Sequence, residues 1–379
     1  MEPASTSSRL APNAVNYAGF VGRSPSRVIP MPGSRICQRK YRSVAVNAGC
    51  KLLGVGSSVP ETVLTNADLE RIVETSDEWI TRRTGIRQRH VLSDGELLAD
   101  HATTASERAL EMAGVSAEDL DLIIMGTSSP DDIFGSACQV QNRVGAGKAV
   151  AFDITAACSG FVVSLITAAQ YIRTGAYKNV LVVGGDALSR VVDWKDRSTC
   201  ILFGDACGAV VMSADDSSSE SDGLLGMAMN STGSGQKNLH AMFNSNGCKP
   251  LGDDDVQSAK ASFCNLEMNG KEVFKWAVRG VPAVIEEALE SGGLDSDALD
   301  WLVMHQANQR ILDAAADRLG LDSKQVVSNL SKYGNTSAAS IPLALDEAVR
   351  EGQVKSGDVV AMAGFGAGLT MAAAIVKWG

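Results

Sequence analysis

The sequence has few aromatic residues and no excess of positive charge. Aromatic side chains make up 5% of its 379 residues, and the formal net charge is -10 at pH 7. Nucleic-acid binding needs basic side chains against the phosphates and often aromatic rings against the bases, so this class of function is excluded. The chain also lacks the run of about 18 apolar residues that a membrane-spanning helix requires, and no membrane association is expected.

The eight cysteines include no C-x-x-C pair and no Cys-His cluster with the spacing of a zinc site. The sequence therefore predicts no metal centre. Most of these thiols are expected to be small buried hydrophobic groups in a reducing compartment.

Residues 1–50 differ in charge from the rest of the chain. Seven basic residues stand against one acid, Glu2, which gives this segment +6 and leaves -16 for residues 51–379. The segment is rich in Ser, Pro and Asn and has no apolar stretch of the kind found in secretory signals. An Arg-rich, Ser-rich and acid-poor segment is typical of an organelle transit peptide. The alternative is a disordered basic tail without a targeting function.

The rest of the chain repeats itself at an offset of 179 residues. In each copy an amphipathic helix is closed by glycine and followed by an apolar strand, and a second strand comes later. The paired segments are 105–120 and 284–299, 121–125 and 300–304, and 179–183 and 358–362. A repeat of this length indicates duplicated halves, since solenoid repeats are much shorter.

We therefore predict an α/β protein built from two halves, residues 51–225 and 226–379, in which helices alternate with parallel strands. The same offset pairs Cys158 with Ser337 and His305 with Gly126. These positions lie just past the carboxyl ends of predicted strands, where open α/β sheets bind their ligands. Residues from both halves are thus expected to meet at one site.

Cys158 follows a predicted strand, 150–154, and precedes a predicted helix, 161–172. A thiol at a helix amino terminus lies at the positive end of the helix dipole, which favours the thiolate. Its immediate neighbours are alanine, serine and glycine, which leave room for a carbonyl group to approach the sulfur. Cys158 is therefore a candidate nucleophile, and a buried structural thiol is the alternative.

His305 and Asn335 are the other candidates for chemistry. His305 directly follows an apolar strand and has polar neighbours, which suits a general acid/base or an oxyanion donor. Asn335 lies in a Gly-Asn-Thr-Ser turn, and a neutral amide can donate to an enolate oxygen without adding charge. For both residues the alternative is a helix cap. The glycine-rich turn at 363–368 either forms an oxyanion hole from backbone N–H groups or packs tightly.

Residues 51–379 resemble β-ketoacyl-acyl-carrier-protein synthase III, a family of thiolase-fold condensing enzymes. The resemblance rests on a set of short sequences: TAACSG at 155–160, HQAN at 305–308 with RI at 310–311, GNTSAAS at 334–340, TSDEWI at 75–80 with RTGI at 83–86, DRS at 196–198, and MNG at 268–270 with VFK at 273–275. It implies duplicated halves in a layered α-β-α-β-α architecture and a homodimer. It also implies acetyl-coenzyme A as the usual primer, malonyl-acyl carrier protein as the extender, and no cofactor or metal. Together with the transit-peptide prediction, it implies a plastid form located in the stroma.

The resemblance implies a role for each candidate. Cys158 carries the acyl group as a thioester, and His305 and Asn335 bind the malonyl thioester and stabilise the enolate formed when carbon dioxide leaves. The backbone N–H groups of Cys158 and Ala367 stabilise the thioester oxygen. The reaction is then a decarboxylative Claisen condensation that initiates fatty acid synthesis and gives acetoacetyl-acyl carrier protein.

Further residues match binding positions of the family. They are Trp79, Arg83 and Arg197 around the coenzyme A adenine, Phe274 and Asn308 along the pantetheine tunnel, Lys275, Arg310 and Arg318 for carrier-protein docking, and Phe134, which crosses the dimer interface, with Leu369 for the primer pocket. The alternatives are a core aromatic for Trp79 and solvated surface charges for the arginines. Two positions depart from the family: Asp317, where relatives commonly carry a base, and residues 367–369, Ala-Gly-Leu, where relatives tend to have Gly-Gly-Phe.

Three other functions fit parts of the sequence. The segment 54–59, GVGSSV, is similar to a dinucleotide fingerprint and would favour an oxidoreductase, but it lacks the third glycine and Pro60 follows it. A condensing enzyme of specialised metabolism would use another starter unit. A catalytically silent protein would bind the carrier protein without turnover.

Overall fold

Two β-sheets organise the computed structural model, which describes residues 49–215, 223–244 and 262–379. In chain order the strands are β1 (Gly49–Ser58), β2 (Val63–Thr65), β3 (Gln88–His90), β4 (Leu122–Gly126), β5 (Val150–Ile154), β6 (Asn179–Ala187), β7 (Asp205–Asp215), β8 (Leu224–Ser231), β9 (Leu239–His240), β10 (Phe243–Asn244), β11 (Ser262–Phe263), β12 (Glu267–Met268), β13 (Trp301–Met304), β14 (Val359–Gly366) and β15 (Thr370–Lys377). The helices are α1 (Asn66–Leu69), α2 (Asp77–Thr84), α3 (Leu98–Ala113), α4 (Ala137–Arg143), α5 (Gly160–Arg173), α6 (Gly270–Ser291), α7 (Gln309–Leu319), α8 (Leu330–Tyr333) and α9 (Ser340–Arg350).

The two main sheets share one topology. The first has the order β1-β7-β6-β4-β5 and the second the order β8-β15-β14-β13. At one side of each sheet the strands are parallel, as in β6-β4-β5 and β14-β13. At the other side they are antiparallel, as in β1-β7-β6 and β8-β15-β14. Both sheets are therefore mixed, and the prediction of parallel strands is wrong for the antiparallel side.

The helices form three layers around the sheets. α5 and α9 pack between the two sheets, α3 covers the outer face of the first, and α6 covers the outer face of the second, with α7 packed against it. Phe161 and Leu165 of α5 and Ile341 and Leu345 of α9 are fully buried in the central layer. A helix covered on both sides is apolar around most of its circumference, as α5 is. The α-β-α-β-α architecture is confirmed.

Helix ends follow local sequence signals. α3 ends at Gly114 and α7 at Gly320, both in the left-handed conformation that closes a helix with little strain in glycine. Asn308 caps α7 with its side chain, which accepts from the backbone N–H of Arg310. Pro342 lies in the first turn of α9, where its missing N–H has no partner to lose, so the helix continues uninterrupted to Arg350.

The duplication is visible element by element: β1 corresponds to β8, α3 to α6, β4 to β13, α5 to α9, β6 to β14, and β7 to β15. The strands predicted at 121–125, 179–183, 300–304 and 358–362 are confirmed. The predicted boundary between residues 225 and 226 falls inside β8, which belongs to the second sheet. All described residues lie in one compact unit, so a division into two domains stays a prediction.

Two predicted pairings are wrong by a single residue. Val180 lies opposite Leu122 and Val360 lies opposite Trp301, so β6 and β14 are related by 180 residues, and 179–183 corresponds to 359–363. Ala157 (φ 47°) and Ser337 (φ 51°) each begin a short 3₁₀ turn, and these turns lead into α5 and α9. The equivalent of Cys158 is therefore Ala338 and not Ser337. The offset grows from 179 to 180 between β13 and this turn because the second copy contains one more residue there.

The proposed transit peptide, residues 1–50, lies outside the described residues except for its last two. Among the described residues no helix combines the length and apolar character needed to cross a membrane. The same residues contain no group of three or more His, Cys, Asp or Glu side chains placed to hold a metal ion.

Candidate active site

Cys158 lies where the two halves of the molecule meet. It is the middle residue of the 3₁₀ turn Ala157–Ser159, between β5 and α5. β14 of the second half passes directly over it, since a Cβ atom on Gly366 would lie 3.2 Å from the Cys158 sulfur and 2.8 Å from its backbone nitrogen. Glycine at 366 therefore allows the close approach of β14 that a larger residue would obstruct.

Ser337 connects the three predicted catalytic residues. Its Oγ lies 3.2 Å from Cys158 Sγ, and its backbone N–H donates to Asn335 Oδ1 over 2.9 Å. Its carbonyl oxygen lies 2.7 Å from Ser340 Oγ, which in turn lies 2.7 Å from His305 Nδ1. The structure thus brings Cys158, His305 and Asn335 together, and Ser337 and Ser340 are residues that the sequence analysis missed.

His305 is buried as a neutral imidazole. Only 1% of its surface is exposed, and the ring of Phe365 packs edge-on against it with centroids 4.9 Å apart. Burial lowers the pKa of His305 to about 3, because a charged ring would lose its hydration. Asn308 caps the following helix, so the alternative of a helix-capping histidine is wrong.

Asn335 is held by its own backbone. Its N–H donates to Leu202 O over 2.8 Å and its carbonyl accepts from Gly204 N over 3.0 Å. Because Oδ1 already accepts from Ser337 N, the amide NH2 is left to donate to a ligand. Thr336 precedes the 3₁₀ turn without a side-chain cap, and Asn335 Oδ1 accepts the N–H of the turn's first residue, so the capping role and the proposed donor role use different atoms of the same amide.

Burial opposes ionisation of Cys158. It raises the pKa of the thiol from 9.0 to about 12, a change worth on the order of 4 kcal/mol. A helix amino terminus supplies about 2 kcal/mol at most in a partly buried site. The helix dipole therefore offsets only part of the effect of burial on this thiol.

A cavity of about 870 Å³ opens beside Cys158. Its wall includes Cys158, Ser337, Ala367 and Gly368, together with apolar side chains such as Leu266. His305 and Asn335 are not part of this wall. The cavity can take an apolar acyl group and presents it to the sulfur.

The two residues predicted for the primer pocket do not line this cavity. Leu369 is buried and packs toward Gly235, where an added Cβ would lie 2.7 Å from Leu369 Cδ1. The two residues that precede Leu369, Ala367 and Gly368, are part of the wall. Phe134 is 95% exposed on the single chain, and its contribution across a dimer interface stays a prediction.

The residues predicted to bind the coenzyme A adenine form one cluster. The guanidinium groups of Arg83 and Arg197 lie over the ring of Trp79, at 4.9 and 4.7 Å from its centroid. Both arginines are exposed and Trp79 is half-buried, so the core-aromatic alternative does not apply. Asn308 Nδ2 donates to Arg83 O over 3.1 Å, which ties this cluster to the start of α7.

The residues predicted to dock the carrier protein are exposed, but two of them have acidic partners. Lys275 pairs with Glu272 at 2.9 Å, and Arg318 forms two hydrogen bonds to Glu286 at 3.1 and 2.8 Å. Arg310 instead stacks over the predicted tunnel residue Phe274, with its guanidinium 4.8 Å from the ring centroid.

The glycines of the dinucleotide-like segment serve packing. Gly54 and Gly56 lie within β1, where added Cβ atoms would come within 2.5 Å of the α3 backbone at Ala109 and within 2.4 Å at Ala105. These glycines let a helix lie directly on a strand and do not form a phosphate-binding turn. The oxidoreductase interpretation of this segment is wrong.

Known proteins share both the sequence and the fold. Models of the family 3-oxoacyl-[acyl-carrier-protein (ACP)] synthase III match residues 152–233 and, for its C-terminal part, residues 289–378. The synthase III of Synechocystis sp. is 54% identical over 88% of this chain and 99% of its own, and the chloroplastic synthase III B of Cuphea wrightii is 53% identical over 92% and 88%. The crystal structure of synthase III from Aquifex aeolicus, at 44% identity, covers 87% of this chain and 100% of its own with a TM-score of 0.78.

Fold and site together define a thiolase-fold condensing enzyme, in which a cysteine, a histidine and an asparagine converge from two duplicated halves. The chain belongs to the β-ketoacyl-[acyl-carrier-protein] synthase III family. It is an acyltransferase that carries out the initiating condensation of fatty acid synthesis.

Proposed function

We propose that the enzyme transfers the acetyl group of acetyl-coenzyme A to Cys158 and then joins it to malonyl-acyl carrier protein, with loss of carbon dioxide. The observation that supports this most directly is the set of contacts made by Ser337 to Cys158, Asn335 and, through Ser340, His305. One sulfur and two neutral polar groups next to a mostly apolar cavity suit acyl transfer followed by enolate formation.

His305 and Asn335 act in this proposal as paired donors to the oxygen of the malonyl thioester. The Ser340 hydroxyl donates its single proton to Ser337 O over 2.7 Å, so it accepts from His305 Nδ1, which lies 2.7 Å away. Donation from His305 Nε2 to the thioester oxygen therefore requires the Ser340 hydroxyl to turn from Ser337 O toward Nδ1, which changes the tautomer of the ring. Because both donors are neutral, they stabilise the enolate without pairing with the malonyl carboxylate as a cation would.

The acyl-enzyme step uses backbone donors. The N–H groups of Cys158 and Ala367 are proposed to bind the thioester oxygen as it becomes negative, and both residues lie on the cavity wall. The proposed reaction needs neither a metal nor a redox cofactor, since a thioester already activates the carbonyl carbon and carbon dioxide loss supplies the nucleophile.

The arginines at Trp79 supply the proposed contacts with coenzyme A. Arg83 and Arg197 can stack on the adenine and pair with its phosphate, as guanidinium groups commonly do. Asn308 and Phe274 would then line the route of the pantetheine arm toward Cys158. For the acidic carrier protein, Arg310 with Lys275 and Arg318 forms the proposed docking surface.

The proposed location is the plastid stroma, and residues 1–50 are the proposed transit peptide. The basic composition of that segment and the chloroplastic relative from Cuphea wrightii support this proposal. A homodimer that acts without membrane association is proposed on the family resemblance, with the exposed Phe134 at its interface.

Intact-protein mass spectrometry after mixing with acetyl-coenzyme A tests the proposal. We expect a single acetyl adduct on the wild-type protein and none on the Cys158→Ala variant. The Cys200→Ala variant is a matched control, because Cys200 is also a buried free thiol and does not line the cavity.

A wild-type protein that stays unmodified, or that is acetylated elsewhere, would contradict the proposal. Competition among acyl-coenzyme A primers separates an acetyl-specific enzyme from one with another starter unit. Addition of malonyl-acyl carrier protein separates a condensing enzyme from a protein that only binds the carrier.

A further inference from the structure

Arg89 is a charged side chain that the proposed reaction has not used. It lies in the middle of β3 with 0% of its surface exposed. Burial lowers its pKa to about 10, so the guanidinium stays charged at neutral pH. Within the part of the chain that the structure describes, its hydrogen-bond partners are neutral oxygens and no carboxylate pairs with it. A buried cation without an anion is costly, so the position of Arg89 requires an explanation.

The guanidinium joins two segments that are far apart in the sequence. Its Nη1 donates to Leu64 O over 3.1 Å and to Asn66 Oδ1 over 3.0 Å, and its Nη2 donates to Ile201 O over 2.7 Å. The first two oxygens belong to β2 and to the start of α1, and the third belongs to the loop that precedes β7. Hydrogen bonds from a charged donor are roughly twice as strong as neutral ones. Arg89 therefore holds this loop against β2 and α1.

The same loop binds the backbone of Asn335. Asn335 N donates to Leu202 O over 2.8 Å, and Gly204 N donates to Asn335 O over 3.0 Å. Phe203, between these two residues, forms a β-bridge with Asn335. The first acceptor for Asn335 thus belongs to the residue next to Ile201, so a displacement of Ile201 is passed directly to Asn335.

The Cβ atom of Arg89 makes a second contact with this region. A Cβ atom on Gly204 would lie 3.0 Å from it, and one on Gly334 would lie 3.4 Å from it. Every replacement except glycine keeps this Cβ atom, whereas the hydrogen bond to Ile201 needs the guanidinium. A substitution can therefore remove the hydrogen bonds of Arg89 and preserve its closest packing.

The other two site residues are held by different elements. His305 N donates to Ala363 O of β14 over 2.8 Å, and the turn that carries Cys158 packs against β14 at Gly366. In the described part of the chain, Asn335 is the one site residue whose backbone hydrogen bonds reach the loop held by the guanidinium.

We propose that Arg89 is a positioning residue, which holds the loop 201–204 and thereby directs the Asn335 amide at the oxygen of the malonyl thioester. This inference rests on the proposed function, because it assumes the donor role of Asn335 in that reaction. No bond forms or breaks at Arg89. Its effect falls on the step that uses Asn335, which is stabilisation of the enolate, and not on the earlier acetylation of Cys158.

A double-mutant cycle tests this role. Arg89→Met removes the donors and keeps an unbranched side chain in the buried position, and it is combined with Asn335→Ala. Arg108→Met is the control, because Arg108 also donates to a backbone carbonyl, Ser57 O over 2.6 Å, but lies on α3 at the outer face of the first sheet. The readouts are carbon dioxide release from malonyl-acyl carrier protein, measured in the Cys158→Ala background, and Cys158 acetylation at saturating acetyl-coenzyme A.

Arg89→Met should slow carbon dioxide release about tenfold, because misplacing a positioned donor by about 1 Å costs at least that much in rate. In the Asn335→Ala background the same substitution should change the rate by less than about twofold, since the group that Arg89 positions is absent. Cys158 acetylation should also change by less than about twofold in Arg89→Met. Arg108→Met should match wild type in both readouts.

Equal losses of carbon dioxide release with and without Asn335 would overturn the proposal, because they indicate an effect on the fold that does not pass through the amide. Unchanged release in Arg89→Met, or an equal loss of acetylation, would overturn it too. If Arg89→Met does not fold, the same cycle with Arg89→Lys decides, with an expected loss of about threefold because an ammonium group cannot span both segments.

The wild-type protein separates this inference from the proposed function. If it is acetylated at Cys158 but releases no carbon dioxide, both are contradicted. If it carries out both steps and the losses caused by Arg89→Met are equal in the two backgrounds, the positioning role alone is contradicted.

Discussion

Burial keeps both the imidazole of His305 and the thiol of Cys158 uncharged at neutral pH. The two shifts run in opposite directions because burial disfavours the charged form of each group. This protonation state depends on tertiary packing, so the sequence pattern around either residue did not predict it.

The depressed pKa of His305 makes the stability of the fold depend on pH. Between pH 6.5 and about 3 the unfolded chain binds a proton on this residue and the folded chain does not, so stability contributed by His305 is complete above pH 6.5 and declines as pH falls. Between pH 6.5 and 4 the expected loss is about 3 kcal/mol. Urea unfolding at several pH values should show this slope in wild type and a weaker slope in His305→Asn. If the free energy of unfolding fell equally with pH in the two proteins, the low pKa assigned to His305 would be contradicted.

At the level of elements, the site depends on how closely β14 passes over the turn that carries Cys158. Gly364 and Gly366 alternate along this strand, and Cβ atoms on them would lie 2.8 Å from Ser159 Cα and from Cys158 N respectively. The backbones of the strand and the turn are thus in contact, and this contact fixes the position of the sulfur in the cavity wall. Any side chain at these positions would push the two halves apart.

A methyl group at position 366 is expected to damage the site. Gly366→Ala places a carbon within 3.2 Å of the sulfur and should slow Cys158 acetylation at least tenfold, since displacement of a reacting group by about 1 Å costs rates of that order or more. The control is Gly147→Ala, where a Cβ would meet nothing within 4 Å and φ is not positive. If a folded Gly366→Ala protein were acetylated at the wild-type rate, β14 would have moved to accommodate the methyl group, and the prediction would be wrong.

The sequence predicted the inner strands and central helices well because their apolar runs are buried in both copies. It also predicted Cys158 and His305, since each follows a strand at its carboxyl end, and Asn335 from its Gly-Asn-Thr-Ser turn, which follows α8 in the structure. It placed the end of the strand at 179–183 too early, since β6 extends to Ala187. The hydrogen-bonding roles of Ser337 and Ser340 depend on a left-handed residue and a buried histidine, neither of which a single sequence displays.

For the molecule as a whole, charge opposes the proposed partner. Residues 51–379 carry a formal charge of -16, and an acidic carrier protein is repelled unless a local basic surface dominates at short range. Glu286 and Glu272 already neutralise Arg318 and Lys275 in part, and Asp317 adds an acid beside Arg318. Within the described residues Arg310 has no carboxylate partner, so it should contribute most to docking.

Arg310→Ala is therefore expected to raise the KM for malonyl-acyl carrier protein about fivefold, which corresponds to the roughly 1 kcal/mol of an exposed charge contact. The effect should shrink as salt concentration rises, and turnover with malonyl-coenzyme A should change little. Arg71→Ala is the control, because Arg71 is 82% exposed and lies on α1's carboxyl side, outside the proposed surface. A larger effect from Arg318→Ala than from Arg310→Ala would contradict this ranking.

The paired left-handed residues Ala157 and Ser337 have a consequence for how the two copies share one task. Each copy presents the same bent turn toward the other, yet only one of them carries the sulfur, and the other supplies the hydroxyl that touches it. Neither copy holds a complete reaction centre, so one half produced alone would contain its turn but not the full set of reacting groups. After the duplication the two halves have come to depend on each other, because a change in either turn alters the same site.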